Sequence, residues 1–170
     1  VKVMTVAACA ASLLVLCSCQ SHDGSSNLLN PGMSIDGREI YLRGEMNDYA
    51  VMSAYRLNKI DENTFCTVAP LRADWAPYRF KFADSAWSSG SNFGYAAPPG
   101  VLHVDGPKVK LNAASRFEEL SFSPDEDGNY RFCLIKEGKS YHATVDKSDD
   151  ELATLHDLLF NSGSLLSTLN

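Results

Sequence analysis

The chain predicts an all-β fold, a β-sandwich, with an N-terminal signal and tether and a short C-terminal α-helix. Three observations carry that reading. Short strand-like runs recur at close spacing between Glu39 and Val145, the pattern of two packed antiparallel sheets. Tyr78-Arg79-Phe80-Lys81-Phe82 alternates strictly between apolar and polar residues, which is the period of a half-buried strand. Helical spacing of leucines, at Leu152, Leu155, Leu158 and Leu159, comes only after the last of these runs.

Taken in order, residues 1–18 read as a signal peptide. Lys2 is a sparse positive n-region, and Val6–Cys17 is almost wholly apolar and small. That run is far short of the roughly 20 apolar residues of a membrane-spanning helix and fits a secretory h-region. It ends in Leu16-Cys17-Ser18-Cys19, with Gln20 next, which resembles a bacterial lipobox. The resemblance implies cleavage before Cys19 and a diacylglycerol thioether on its thiol. Each buried methylene of such a lipid adds roughly 0.8 kcal/mol, so the expected partner is a membrane, held through the lipid anchor. Gln20 in place of Asp favours the outer membrane if the envelope is Gram-negative. The competing reading is an ordinary secretory signal that contains cysteines. Residues 19–37 then form a tether rich in Ser, Asn, Asp and Gly.

Residues 38–147 are the expected sandwich. Glu39–Met46 reads as the first strand, with Ile40, Leu42 and Met46 on one face and Tyr41 and Arg43 on the other. Ala54–Ile60 reads as the second, and Asp61-Glu62-Asn63 turns it into Thr64–Leu71. Tyr78–Phe82, Lys108–Leu111, Leu120–Phe122, Asn129–Ile135 and Ser140–Val145 follow, the last two joined by Lys136-Glu137-Gly138-Lys139. Residues 148–170 form the expected helix and tail. Ser148 and Glu151 have capping-box spacing, and Asn161-Ser162-Gly163 is the stop. Such a helix either packs on its own sandwich or binds a partner.

Composition narrows the functional classes. A net charge of −6 argues against nucleic acid. Of five cysteines, Cys9 and Cys17 leave with the signal and Cys19 takes the lipid, so Cys66 and Cys133 remain. An even pair in an oxidising compartment, with both members in strand-like runs, predicts a Cys66–Cys133 disulfide. It would contribute about 4 kcal/mol in the chain-entropy model; the alternative is two buried free thiols. His22, His103, His142 and His156 lack metal-ligand spacing. No metal and no cofactor is expected beyond the covalent lipid on Cys19. Glu118 and Glu119 are adjacent, so on a strand they face opposite ways and cannot flank one glycosidic bond. Asp125-Glu126-Asp127-Gly128-Asn129 carries only a trace of a calcium loop and reads as a solvated turn. No catalytic constellation emerges, and an enzyme is not expected.

One stretch points further. Leu42-Arg43-Gly44-Glu45-Met46-Asn47-Asp48-Tyr49 is followed by Phe80-Lys81-Phe82-Ala83-Asp84-Ser85-Ala86-Trp87 and then Asn92-Phe93-Gly94. These segments resemble the accessory β-sandwich modules of bacterial pullulanases and, more distantly, starch- and glycogen-binding modules, over Glu39 to Val145. The resemblance implies an immunoglobulin-like sandwich that binds glycan without cleaving it. It maps Trp87 onto the aromatic that stacks on glucose, Asn92 onto a polar residue that bonds sugar hydroxyls, and Lys81 onto a strand lysine that reaches the ligand. The chain departs from the pattern at Tyr49, where Trp is usual, and in the insertion Tyr95–Gly106.

The residues make a case of their own. Sugar rings present apolar C–H faces that a flat indole covers well. Trp87 lies in a Ser/Gly/Asn-rich loop with Asp84, Ser88 and Asn92 nearby. Trp75 and Tyr78 offer a second aromatic surface. Against this, Trp87 also fits a plug at the end of the sandwich, Trp75 reads more readily as packing, and Phe80 and Phe82 read as core. Two functions follow. The first is a membrane-anchored lipoprotein whose candidate ligand is an α-glucan or a related envelope glycan. The second is an interaction or scaffold subunit of a bacterial envelope assembly, bound to an envelope protein and with no sugar site.

Overall fold

A computed structural model describes residues 31–149. In chain order the strands are β1 (Ser34–Ile35), β2 (Arg38–Glu39), β3 (Tyr41–Gly44), β4 (Asn58–Lys59), β5 (Thr64–Leu71), β6 (Tyr78–Ala83), β7 (Asn92–Tyr95), β8 (Val101–Leu102), β9 (Val109–Asn112), β10 (Leu120–Phe122), β11 (Gly128–Glu137) and β12 (Ser140–Ser148). Single 3₁₀ turns stand at Glu45–Asn47, Ser53–Tyr55 and Ala73–Trp75. Among the described residues no helix is long and apolar enough to cross a membrane.

The protein is an all-β sandwich. One layer runs β4–β5–β11–β12–β9. The other centres on β6, with β3 on one edge and both β7 and β10 on the other; β8 lies parallel beyond β10. β7 joins the layers. Its Asn92 and Phe93 pair with Ala83 and Phe82 of β6, whereas Gly94 and Tyr95 pair with Asn112 and Leu111 of β9. A Cβ at Gly94 would stand 1.7 Å from the Glu118 carbonyl oxygen, so only glycine allows the turn before β10 to pass across β7.

Between the layers lies an aromatic core. Ile40, Leu42, Leu57, Phe80, Phe82, Phe93, Leu120, Phe132 and Leu134 have no exposed surface. Burying each such side chain stabilises the fold by about 1.5–3 kcal/mol. Edge-to-face pairs cross from layer to layer: Phe80 with Phe132 at 5.0 Å, Phe122 with Tyr130 at 5.1 Å, and Phe93 with Tyr141 at 4.9 Å. Each adds about 0.5–1.5 kcal/mol beyond the area it buries.

Several expectations need correction. The tether does not extend to residue 37: Met33 is 3% exposed in the core and its N–H donates to the Leu57 carbonyl at 2.8 Å. The single strand expected over Glu39–Met46 ends at Gly44 and gives way to a 3₁₀ turn. Ala54–Ile60 is mostly turn, with only Asn58–Lys59 paired to β5. Asn92–Tyr95 and Val101–Leu102, read as loop and insertion, are strands. Ser148, the expected helix cap, is the last residue of β12 and pairs with Asn129. The expected helix beyond it, the signal and Cys19 lie outside the described residues.

Candidate functional site

Register assembles the site on the outer face of the β6 layer. Arg43 stands opposite Lys81, and Ala83 stands opposite Asn92. Side chains alternate along a strand, so Arg43, Lys81 and Asn92 face away from the core that Leu42, Phe80 and Phe82 fill. Three turns rise over this face, and each is tied by side chains bonding to backbone.

The first turn follows β3. Asn47 is buried; its Oδ1 accepts the Gly44 N–H at 2.9 Å and its Nδ2 donates to the Leu42 carbonyl at 2.9 Å. A Cβ on Gly44 would meet the Arg79 carbonyl oxygen at 2.5 Å, which explains the glycine. The chain then enters the left-handed region at Asp48 and Tyr49, with φ of 51° and 58°. That costs a non-glycine residue about 1–2 kcal/mol, offset by the Tyr49 N–H donating to the Gly44 carbonyl at 2.9 Å. The Tyr49 hydroxyl donates to Glu119 Oε1 at 2.6 Å. Burial, and then this carboxylate, push the phenol well above its usual pKa.

The second turn follows β6 and carries Trp87. Asp84 is 1% exposed, and its carboxylate accepts from Ala86 N–H at 3.1 Å, Ser88 N–H at 2.9 Å and Ser91 Oγ at 3.1 Å. Arg38 Nε lies 3.2 Å away. Burial alone would raise the carboxyl pKa; the bonds from Ser88, Ser91 and Ala86 prevail and hold it below the ordinary value. Between the two tied N–H groups, Trp87 adopts φ 57°. The two neighbouring aromatics of this face thus share a left-handed backbone, a conformation that persists only where surroundings enforce it.

Arg43 supplies much of that enforcement. Its Nε donates to the Tyr49 carbonyl at 2.8 Å, and Nη1 to the Asp84 and Ser85 carbonyls at 2.8 and 3.2 Å. Its guanidinium carbon sits 3.7 Å from the Trp87 ring centroid, a cation–π contact of about 0.5–2 kcal/mol. Tyr49 and Trp87 lie 6.3 Å apart, tilted by 49°. The result is a partly exposed indole beside a tyrosine, oriented from behind by a buried arginine.

The third turn precedes β10. Glu118 Oε2 accepts the Arg116 and Phe117 N–H groups at 2.8 and 3.1 Å, and Ser115 Oγ donates to the Glu118 carbonyl at 3.2 Å. Bonds from its own turn bring the Glu118 carboxyl pKa down to about 2. Phe117 is left 87% exposed. Lys81, 3% exposed, reaches into this turn, where Nζ donates to the Arg116 carbonyl at 3.4 Å. Burial depresses its ammonium pKa, opposed by Glu118 and Glu119.

Of the residues read from sequence, Trp87 and Tyr49 are brought together. Lys81 and Asn92 share their face but are buried; Asn92 is 6% exposed and its Oδ1 has no protein partner. Neither offers the exposed polar contact expected of it, because the segment 113–118 crosses them. Tyr78 is core at 3% exposure, with its hydroxyl accepting the Arg72 N–H and donating to the Arg72 carbonyl, both at 3.0 Å. It is therefore not a surface aromatic. Trp75 is the reverse: read as packing, it is 66% exposed. Cys66 and Cys133 face each other across β5 and β11, Cα atoms 4.1 Å apart and sulfurs 2.07 Å apart. Arg43, Glu119 and Phe117 went unread as site residues. Their signals were faint: an arginine next to Leu42 and just before a glycine, a lone phenylalanine between Arg116 and Glu118, and a Glu119 weighed only as half of a carboxylate pair.

Chemically, the face can stack a flat apolar ring and bond hydroxyls at its rim. Glu118 and Glu119 are engaged separately, one by its own turn and one by Tyr49. Among the described residues no group of His, Cys, Asp or Glu is placed to hold a metal ion.

No family model and no curated protein matches the chain. Among solved structures, the ligand-induced structure of AmyP-SBD is similar to it, with a TM-score of 0.49 and 20% identity over 84% of this chain and 99% of that one.

Proposed function

We propose that the described domain is a non-catalytic glycan-binding module that stacks a sugar ring on Trp87, carried by a lipid-anchored protein of a bacterial envelope. The Trp87 turn carries this reading. Leaving an indole partly in water forgoes some of its burial, and a left-handed tryptophan adds strain; both are sustained here by Asp84 and Arg43. A pre-oriented aromatic lowers the ordering cost of binding. The resemblance over Phe80–Gly94 makes an α-glucan the proposed ligand class. Tyr49 flanks the stacked ring, and Glu119, Ser85 and Ser88 supply polar contacts at the rim. Lys81 and Asn92 act as supports of the third turn. The lipid on Cys19 and the outer-membrane address rest on the Leu16–Gln20 motif alone; a Cys19→Ser variant should leave the membrane fraction.

A second reading, an interaction subunit of an envelope assembly with no sugar site, draws on one observation: the burial of Lys81 and Asn92. Isothermal titration separates the two. Maltoheptaose, glycogen and peptidoglycan fragments are titrated into wild type and Trp87→Ala. Saturable binding to maltoheptaose and glycogen, abolished by the substitution, is expected. Absence of binding by wild type to all three removes the first reading.

A further inference from the structure

We infer that Trp75 is a second glycan platform at the opposite end of β6, and that the ligand is a polymer engaged at two points. This rests on the reading of Trp87 above. The two tryptophans are built alike. Trp87 sits in a turn whose backbone N–H groups are held by the Asp84 carboxylate, with the Arg43 guanidinium against its ring. Trp75 ends a 3₁₀ turn in which the Ala73 N–H donates to Asp127 Oδ1 at 2.8 Å. The Arg72 guanidinium carbon lies 5.0 Å from its ring centroid, and Asp74 fixes that guanidinium through bonds of 2.9 and 2.7 Å. The buried Tyr78 hydroxyl grips both backbone groups of Arg72.

An indole 66% in water forfeits most of its own burial. Nothing in this turn needs the ring: Asp127, Asp74 and Tyr78 hold it through Arg72 and Ala73. The framework presents the indole without using it. Trp75 precedes β6 and Trp87 follows it. The six residues of β6, a strand roughly 20 Å long at about 3.3 Å per residue, run between them. A short oligosaccharide stacked on one platform leaves the other free, whereas two segments of one polymer reach both. The second contact then forms at high effective concentration, which multiplies affinity without changing either site.

The test compares maltoheptaose with glycogen on the folded protein, by isothermal titration and affinity electrophoresis, for wild type, Trp75→Ala, Trp75→Phe and Trp87→Ala. Trp75→Ala should keep maltoheptaose affinity within about twofold yet lose at least about tenfold for glycogen. Trp75→Phe, which keeps an aromatic face, should recover most of the loss. Should Trp75→Ala bind glycogen like wild type while Trp87→Ala fails on both ligands, the second platform is overturned and the first stands. Equal loss on both ligands in Trp75→Ala also overturns it, since the two platforms would then not be separate. No binding by wild type to either ligand removes the Trp87 reading, and this one with it.

Discussion

The two layers of the sandwich use their polar groups differently. In the first, β5, β11 and β12 run 8, 10 and 9 residues in unbroken register, paired backbone to backbone along the ladders. In the second, β6 divides one edge between β7 and β10, and its other neighbour, β3, is four residues long. Short strands leave backbone groups outside the ladder. These must find partners elsewhere, and Asn47, Asp84 and Glu118 provide them. The first layer is thus a frame. The second is a face on which side chains, and not ladders, decide the shape, and it is there that Tyr49, Trp87 and Phe117 are presented.

Perturbing the shared core should affect both layers most. Phe80 contacts Phe82 in its own layer and Phe132 in the other, so Phe80→Ala should cost about 3–5 kcal/mol in urea unfolding. Next is the Cys66–Cys133 link, which closes a separation of 67 residues within the frame. Its reduction should cost about 2–5 kcal/mol and leave the relative order of the other variants unchanged. Asp84→Ala should cost about 1–3 kcal/mol by stranding the Ala86 and Ser88 N–H groups. Its loss should show in Trp87 fluorescence before far-UV circular dichroism. Trp75→Ala, at an exposed ring, should shift stability by no more than about 0.5 kcal/mol.

Acid offers a second way to part frame from face. The folded pKa values of Asp84 and Glu118 lie below their ordinary values of 3.8 and 4.5, Glu118 at about 2. A depressed carboxyl stabilises the fold above its unfolded pKa and loses that contribution as pH falls through the folded one. Titration from pH 4.5 towards 2 should therefore loosen the Trp87 and Phe117 turns while the β5–β11–β12 ladder persists. Simultaneous loss of both would contradict the division.

Legibility in the sequence follows the same line. Thr64–Leu71 and Leu120–Phe122 were readable to the residue, and the β11–β12 hairpin from its Gly138 turn, because alternation and turn chemistry are local. Alternation even placed Tyr78 with Phe80 and Phe82, though the nearby Trp75 suggested an aromatic surface instead. Lys81 was misjudged because its burial depends on Arg116, far along the chain. β7 was missed because a strand shared between two sheets, with a glycine at the crossing, has no period of its own. Trp87 and Tyr49 were singled out through the motif that carries them, and they stand side by side; the arginine joining them was not, since its contacts need both turns in place.

Two tryptophans give two indole N–H signals in a nitrogen–proton correlation spectrum, and these report directly on sugar stacking at Trp87. On titration with maltoheptaose, the Trp87 signal, assigned by its absence from Trp87→Phe, should move and saturate. A Trp87 signal that stays in place at saturating sugar would rule out stacking on this ring.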